Sequence, residues 1–299
     1  MDLEVTAPRP GRLKTWLGVA PAVVVVLLAL WEAIAVVRSG SDVPAAADWD
    51  RATAFVRAHH APGQLIVFAP EWIDPVGRMH AGDLIDVAMA ARMDAARFGV
   101  IWEMSARGAS APETAGLTPV LTRRFGDLTV RRFEQSPAEV VYDFVAQFSA
   151  AGISGPAAGR PHVSLEEVGF EPHRCVRVEP RPDQTVTVTY PSARLGQKLV
   201  GYVGLADVFT RRDIRDPGRL EVAINGTKVA VTQVGVDSGW VKFSAATAPS
   251  PSARVTFSAT AVGPHARDRL ICFAAEARAD GHARTLRAVP EDHPAQEGE

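Results

Sequence analysis

Residues 17 to 37 read LGVAPAVVVVLLALWEAIAVV, and this run limits the architecture of the chain before any other feature does. Twelve of its 21 positions are Leu, Val or Ile. As a helix it rises about 31 Å, close to the thickness of a bilayer's hydrocarbon core. Its apolar side chains favour insertion by about 4 to 7 kcal/mol, and Glu32, near the end of the run, opposes this by at most about 3 kcal/mol. Insertion wins, so a single transmembrane helix is expected over 17–37, with Trp16 and Trp31 suited to an interface. Arg9, Arg12 and Lys14 precede the run, whereas Arg38 and then Asp42, Asp48 and Asp50 follow it. The basic side stays in the cytoplasm. Residues 1–16 are therefore expected inside and the bulk of the chain outside, at the cell's inner (cytoplasmic) membrane. A cleaved signal peptide is the rival, because Ala45-Ala46-Ala47 would suit a peptidase. Against it, the run is long for a signal and that site lies well beyond it.

The remaining chain is long enough for one large or two modest domains, and 47% apolar residues can fill their cores. A net charge of −2 offers no basic footprint, so nucleic acid is not expected as a partner. After a short linker, residues 48–135 read as a small α/β domain. Asp48 is placed as the N-cap of a helix over 49–60, Pro62-Gly63 ends it, and a strand spans 65–68. A helix is expected over 83–97 with Asp83 as its N-cap, then strands over 99–105 and 127–133 separated by a Gly/Ala/Pro-rich loop. That gives a sheet of three or four strands. Residues 138–149 place Val140, Val141, Phe144, Val145 and Phe148 on one helical face, so 138–161 reads as a connecting helix and linker.

From Val168 the texture changes to short alternating runs: HRCVRVE, QTVTVTY, KLVGYVGL, RLEVAI, TKVAVTQV, GWVKFSA, ARVTFSA and RLICFAAEA. Asn225-Gly226 between two of them signals a two-residue hairpin. The pattern predicts an antiparallel β-sandwich, jelly-roll-like, over 166–279. Leu220, Val222, Ile224, Val229, Val231, Val255 and Phe257 are expected to point inward. The tail 280–299 has no apolar period and is expected to be disordered. The fold class is thus α+β and multidomain: one membrane helix, a small α/β domain and a sandwich.

Two resemblances follow from quoted stretches. The helix DWDRATAFVRAHH, the strand entry APGQLIVFAP, RFGVIWEMS and FGDLTVRRFE make residues 48–134 resemble the soluble segment of polyprenyl-phosphate-sugar-dependent membrane glycosyltransferases. This chain lacks that family's many-helix core, so the resemblance implies a fold and a glycan setting and maps no catalytic residue. LVGYVGLADVFTRR, LEVAINGTKV and GWVKFSAAT make residues 166–278 resemble galactose-binding-like jelly rolls, the fold of many carbohydrate-binding modules.

Chemistry-bearing residues are few. The turn after strand 65–68 carries Glu71, Asp74, Arg78 and His80; a ligand in an α/β unit sits at such a strand end. Glu71, Asp74 and His80 are weak candidates for acid–base catalysis. Ordinary turn and cap chemistry is the competing reading, and no catalytic residue is assigned. Arg78 is a candidate for binding. Asp86, Arg92, Asp94, Arg97 and Glu103 read as exposed charges or a surface network, and Trp240 as core. In the sandwich Tyr202, Asp207, Arg211, Arg212 and Asp213 are the candidate ligand rim. Neither a metal site nor a cofactor is expected: the cysteines form no zinc pattern, and no nucleotide or hydrolase motif is present. Cys175 and Cys272 lie in the first and last predicted sandwich strands. Outside the cytoplasm they are expected to pair, closing a loop that stabilises by about 4 kcal/mol. The NGT at 225–227 is read as turn chemistry. The expected function is a membrane-anchored, non-catalytic binding or accessory factor in cell-surface glycan handling. Its alternatives are an enzyme acting on a glycan or lipid-linked sugar through the 71–80 loop, and a scaffold for an envelope protein partner.

Overall fold

A computed structural model describes residues 13–41, 43–206, 217–263 and 269–279. Helix α1 (Leu13–Ser41) is continuous for 29 residues through Pro21. Its side chains are described from 21 to 36, a stretch of about 24 Å rise, and all of them are exposed, with Leu27 at 61% and Trp31 at 72%. Among the described residues no helix is long and apolar enough to cross a membrane.

Helix α2 (Ala46–His59) lays Trp49, Ala52 and Val56 onto a four-stranded sheet. Strand β1 (Leu65–Ala69) is parallel to β2 (Val100–Ala106), and β3 (Pro119–Phe125) and β4 (Leu128–Glu134) complete the sheet in the order β1-β2-β4-β3. The β2–β4 and β3–β4 pairs are antiparallel. All five residues of β1 are buried. Such a continuous apolar run suits a strand covered on both faces.

Several local expectations are corrected here. Helix α2 begins at Ala46, so Asp48 lies in its first turn. Its carboxylate accepts from the Asp127 N–H (3.2 Å) and from Arg51, which ties α2 to the β3–β4 turn. The stretch after β1, expected as a turn, is a short 3-10 turn (Glu71–Ile73) followed by helix α3 (Asp74–Ala81), with Pro75 in its first turn. Proline there costs no backbone bond and presets the helical φ. Gly77 lets α3 sit directly on β1, because a Cβ at that position would strike the Phe68 ring. The helix expected over 83–97 is reduced to α4 (Val87–Ala90). Its N-cap is Asp86, which accepts from the Met89 N–H (2.7 Å); Asp83 pairs instead with Arg57. Residues 119–125, expected within the loop before the third strand, form β3.

The connecting helix expected over 138–149 is instead strand β5 (Glu139–Asp143), which pairs with the last strand of the sandwich. Val140, Val141 and Tyr142 favour an extended backbone, and a short apolar run does not distinguish the two periods. Phe144 and Val145, just after β5, enter the sandwich core, where the Tyr190 hydroxyl donates to the Phe144 carbonyl at 2.6 Å. Strand β6 (Gly152–Ser154), from the expected linker, also joins the sandwich.

The sandwich continues with β7 (His162–Val168), β8 (Glu171–Val178), β9 (Thr185–Leu195), β10 (Lys198–Leu205), β11 (Gly218–Ile224), β12 (Thr227–Val234), β13 (Val241–Ala246), β14 (Ser250–Ala261) and β15 (Ile271–Ala279). One sheet has the order β13-β10-β15-β8-β7, with β5 also on β15; the other runs β12-β11-β14-β9-β6. All neighbours are antiparallel. Leu220, Val222, Val255 and Phe257 face the core, while Ile224 and Val229 are only partly buried. Val231 is 52% exposed, against expectation. A register shift between Val222 and Ala223 moves the β12 alternation by one position, which sends an inward set outward. Asn225 and Gly226 both have positive φ (49° and 83°), as a tight hairpin of this kind demands. Cys175 and Cys272 form a disulfide between neighbouring strands β8 and β15. The tail 280–299 lies outside the described residues.

Candidate functional site

Strand β15 is shared along one edge. It pairs with β8 only over Ile271–Phe273 and with β5 over Glu276–Ala279. Beside the point where β8 diverges, the segment after α4 docks onto the sandwich. The Arg174 N–H donates to the Ala91 carbonyl (3.1 Å), and His173 Nδ1 meets the Arg92 carbonyl at the same distance. Trp240 Nε1 donates to the Met93 carbonyl (3.1 Å). Asp94 takes both guanidinium nitrogens of Arg278 (2.8 and 3.1 Å), and Arg97 pairs with Asp143 and Glu276. Asp94 and Arg97, expected as exposed charges or a surface network, belong to an ion-pair network that locks the α/β layer to the sandwich.

This junction borders a half-open cavity of about 520 Å³. One wall is the C-terminal end of β1 with the start of α3, contributing Phe68, Glu71, Asp74 and Arg78. Another is the docked segment, with Arg92 to Ala96, and a third is the loop of Ser110 to Glu113. The sandwich supplies Glu171, His173, Tyr202, Trp240 and Lys242. Ligands of open α/β sheets sit at the carboxyl end of the strands, as this cavity does beside β1.

The loop wall is held from beneath. Glu103, at the middle of β2, is fully buried. Its carboxylate accepts from the Ala111 N–H (2.8 Å) and from the Thr114 hydroxyl, and lies 3.1 Å from Arg131. Arg131 in turn holds Ser105 and the Ala109 carbonyl. Glu103, expected as an exposed charge or part of a surface network, is instead the buried post on which that loop is pinned.

The sandwich wall is aromatic. Trp240 stacks on His173 (centroids 4.3 Å apart, planes 11° apart) and, more offset, on Tyr202 (5.9 Å, 12°). Lys242, the cross-strand partner of Tyr202, lies 5.8 Å over the tyrosine ring. Trp240, expected as core, is half-buried and packs both on the edge of the main core and on the small cluster that contains the Cys175–Cys272 disulfide. These rings stand on the outer face of their sheet. His173 shares a face with Cys175, out of step with the core residues Val176 and Val178.

The electrostatics separate used groups from free ones. Arg78 pairs with Asp74 (2.6 Å), and Arg92 pairs with Glu113. Burial, then the nearby Asp94 charge, pushes the Tyr202 phenol up to about 12. Burial also drives His173 down to about 4, so the ring is neutral near pH 7. Since a carbonyl can only accept, its Nδ1 carries the proton and Nε2 is a bare acceptor. That Nε2 is buried with no hydrogen-bond partner; the Glu171 carboxylate stands 3.9 Å away. Glu171 is held above the ordinary carboxylate range, first by desolvation in the cavity mouth and then by the charges of Glu113, Asp74 and Glu71; Arg92 opposes this. Over half of its side chain is exposed, so this shift carries no weight as stability.

Of the residues singled out in the sequence, Glu71, Asp74, Arg78 and Tyr202 meet in this cavity. His80 does not: it stacks on Trp49 and lies 3.2 Å from Asp50. Asp207, Arg211, Arg212 and Asp213 lie outside the described residues. Sequence reasoning missed His173, Glu171, Glu113 and the role of Trp240. The available signal was His173, Tyr202 and Trp240 falling at positions out of phase with the core residues of their strands.

No family model matches the chain, and no curated protein matches it. Solved structures give faint likenesses. The CBM51-2 and INT domains of ZmpB from Clostridium perfringens are 12% identical with a TM-score of 0.31, over 53% of this chain and 36% of that one. A CBM51 from Clostridium perfringens GH95 in complex with methyl-galactose is 12% identical with a TM-score of 0.30, over 45% and 98%. The C-terminal CBM6 of LamC from Zobellia galactanivorans is 14% identical with a TM-score of 0.26, over 42% and 99%. At such scores the likeness carries no argument about ligand or activity.

Proposed function

We propose that this protein binds carbohydrate in the cavity between its α/β layer and its sandwich, as a membrane-anchored, non-catalytic factor in cell-surface glycan handling. The observation that carries the reading is the ring stack His173–Trp240–Tyr202 in the wall of the cavity. A sugar ring offers an apolar face to aromatic rings and hydroxyls to fixed acceptors. Anchoring is supported by α1, whose described apolar side chains are all exposed; a helix apolar all round suits a membrane rather than water. The basic residues before the run support a cytoplasmic N-terminus with the cavity outside. The resemblance of residues 48–134 to glycosyltransferase segments agrees with a glycan setting and adds no residue to the site.

The test is co-sedimentation of the full chain, purified in detergent, with polysaccharide from the producing cell's own envelope. A Glu171→Ala, Lys242→Ala variant, altered only at exposed rim positions, is the comparison. Binding by the native chain that the variant loses supports the reading. Equal binding by both moves the site elsewhere, and no binding removes the reading and leaves an envelope protein as the partner to pursue.

A second reading, an enzyme acting on a glycan or lipid-linked sugar, draws on the carboxylates of Glu71, Asp74, Glu113 and Glu171 sharing one cavity. Glu171, held toward its protonated form, would be the proton donor. Prolonged incubation with bound glycan that liberates no new reducing ends would exclude it for hydrolysis.

A further inference from the structure

Helix α3 and the 3-10 turn before it carry an inverted outer face. Ile73, Gly77 and Ala81 recur at helical spacing and are buried. The opposite side presents Trp72, Pro75, Val76 and Met79, all exposed, with Trp72 at 47% and Met79 at 83%. The outward face of a helix in water ordinarily carries charged and polar side chains; none of these four is charged or more than weakly polar. Arg107 sets its guanidinium 5.1 Å over the Trp72 ring, so a cation borders the apolar patch. Tryptophan and basic side chains both suit the headgroup level of a membrane.

The chain keeps this patch close to α1. Helix α1 ends at Ser41 and α2 begins at Ala46, a link that spans at most about 18 Å when fully extended. Val43 within the link is itself apolar and 52% exposed. The C-terminal end of α3 packs on the N-terminal half of α2: the His80 ring stacks on Trp49 and lies 3.2 Å from Asp50. Met79, next to His80, therefore stands near the point where the link delivers the chain. So few apolar side chains would hold a free protein to lipid only weakly, but a short tether makes the contact intramolecular and raises its effective concentration. We infer that Trp72, Val76 and Met79 dock the α/β layer onto the surface of the bilayer that α1 enters. The inference rests on the anchoring part of the reading above. Docked in this way, the cavity wall of Glu71, Asp74 and Arg78, which belongs to the same stretch, stands within about one helix diameter, 10–12 Å, of the headgroups.

The experiment is spin-label accessibility in the full chain reconstituted into phosphatidylcholine vesicles. Both native cysteines are held in the disulfide, so one introduced cysteine gives one labelling site. A nitroxide is placed at Met79→Cys and, as the control, at Gln233→Cys, an exposed position on β12. Its collisions are measured with oxygen, which concentrates in hydrocarbon, and with a water-soluble nickel chelate. The expected result is an oxygen-to-nickel collision ratio several-fold higher at 79 than at 233. The excess should fall toward the control when Trp72→Ser and Val76→Ser are added; both positions are exposed, and a thermal melt checks that this variant folds. If the label at 79 meets nickel as freely as the label at 233, while alkaline washing leaves the protein in the vesicles, the inference fails and anchoring stands. If both reagents are excluded at 79, protein such as a second copy covers the face, and the inference fails with anchoring again intact. If alkaline washing strips the protein from the vesicles, the anchoring reading and the inference fall together.

Discussion

At the scale of single residues, the site depends on groups placed where water cannot compensate them. His173 is neutral in the folded protein down to about pH 4, whereas in the unfolded chain it takes a proton near 6.5. Between those values the unfolded state binds more protons, so falling pH destabilises the native state. The full effect is about 3 kcal/mol, at 1.36 kcal/mol per unit, and it is complete below about pH 4. Urea midpoints from pH 7 to 4 should therefore fall less steeply in His173→Asn than in the native protein; parallel slopes would show that the imidazole does not titrate this way. Glu103 is the second such group. Removing one partner of a buried ion pair strands the other, so Glu103→Ala should cost about 3–5 kcal/mol. It should also loosen residues 109–114, seen as faster amide exchange there. A loss under about 1 kcal/mol would mean that the loop is held by other contacts.

At the scale of elements, the sandwich was legible because its strands alternate. All eight alternating runs from HRCVRVE to RLICFAAEA lie in strands β8 to β15, and Asn225-Gly226 makes the turn its residues require. The pattern failed where it was local and ambiguous. Val140, Val141 and Phe144 fit a helical face, yet β15 offers an edge to pair with, and that edge is invisible in the sequence. The stripe over 84–95 is mostly alanine, which buries too little to hold a helix once Arg92, Asp94 and Arg97 find partners on the sandwich. The site itself was half legible. Arg78 and Tyr202 could be picked out singly, but their convergence depends on residues about 100 positions apart meeting across a junction. The disulfide belongs to this scale. Cys175 and Cys272 are 97 residues apart and packed with Trp240. Replacing both by alanine should lower stability by about 4 kcal/mol and should weaken ligand binding through the loosened ring stack. Unfolded, unreduced protein should expose no reactive thiol; two would contradict the pairing.

At the scale of the whole molecule, the α/β layer follows helix α1 in the chain and forms the cavity together with the sandwich. Cells expressing the full chain should retain it in membranes after alkaline washing, and deletion of residues 13–41 should release it. External protease should reach residues after 42 and leave the N-terminus intact; the reverse pattern would invert the orientation. Hydrogen–deuterium exchange of the full chain, with and without saturating envelope oligosaccharide, tests the proposed carbohydrate site. Slowed exchange is expected in the segments that line the cavity: 69–78, 90–96, 110–113, 171–173 and 239–242. Protection confined to other surfaces, such as β11 and β12 on the far sheet, or no protection at all, would contradict it.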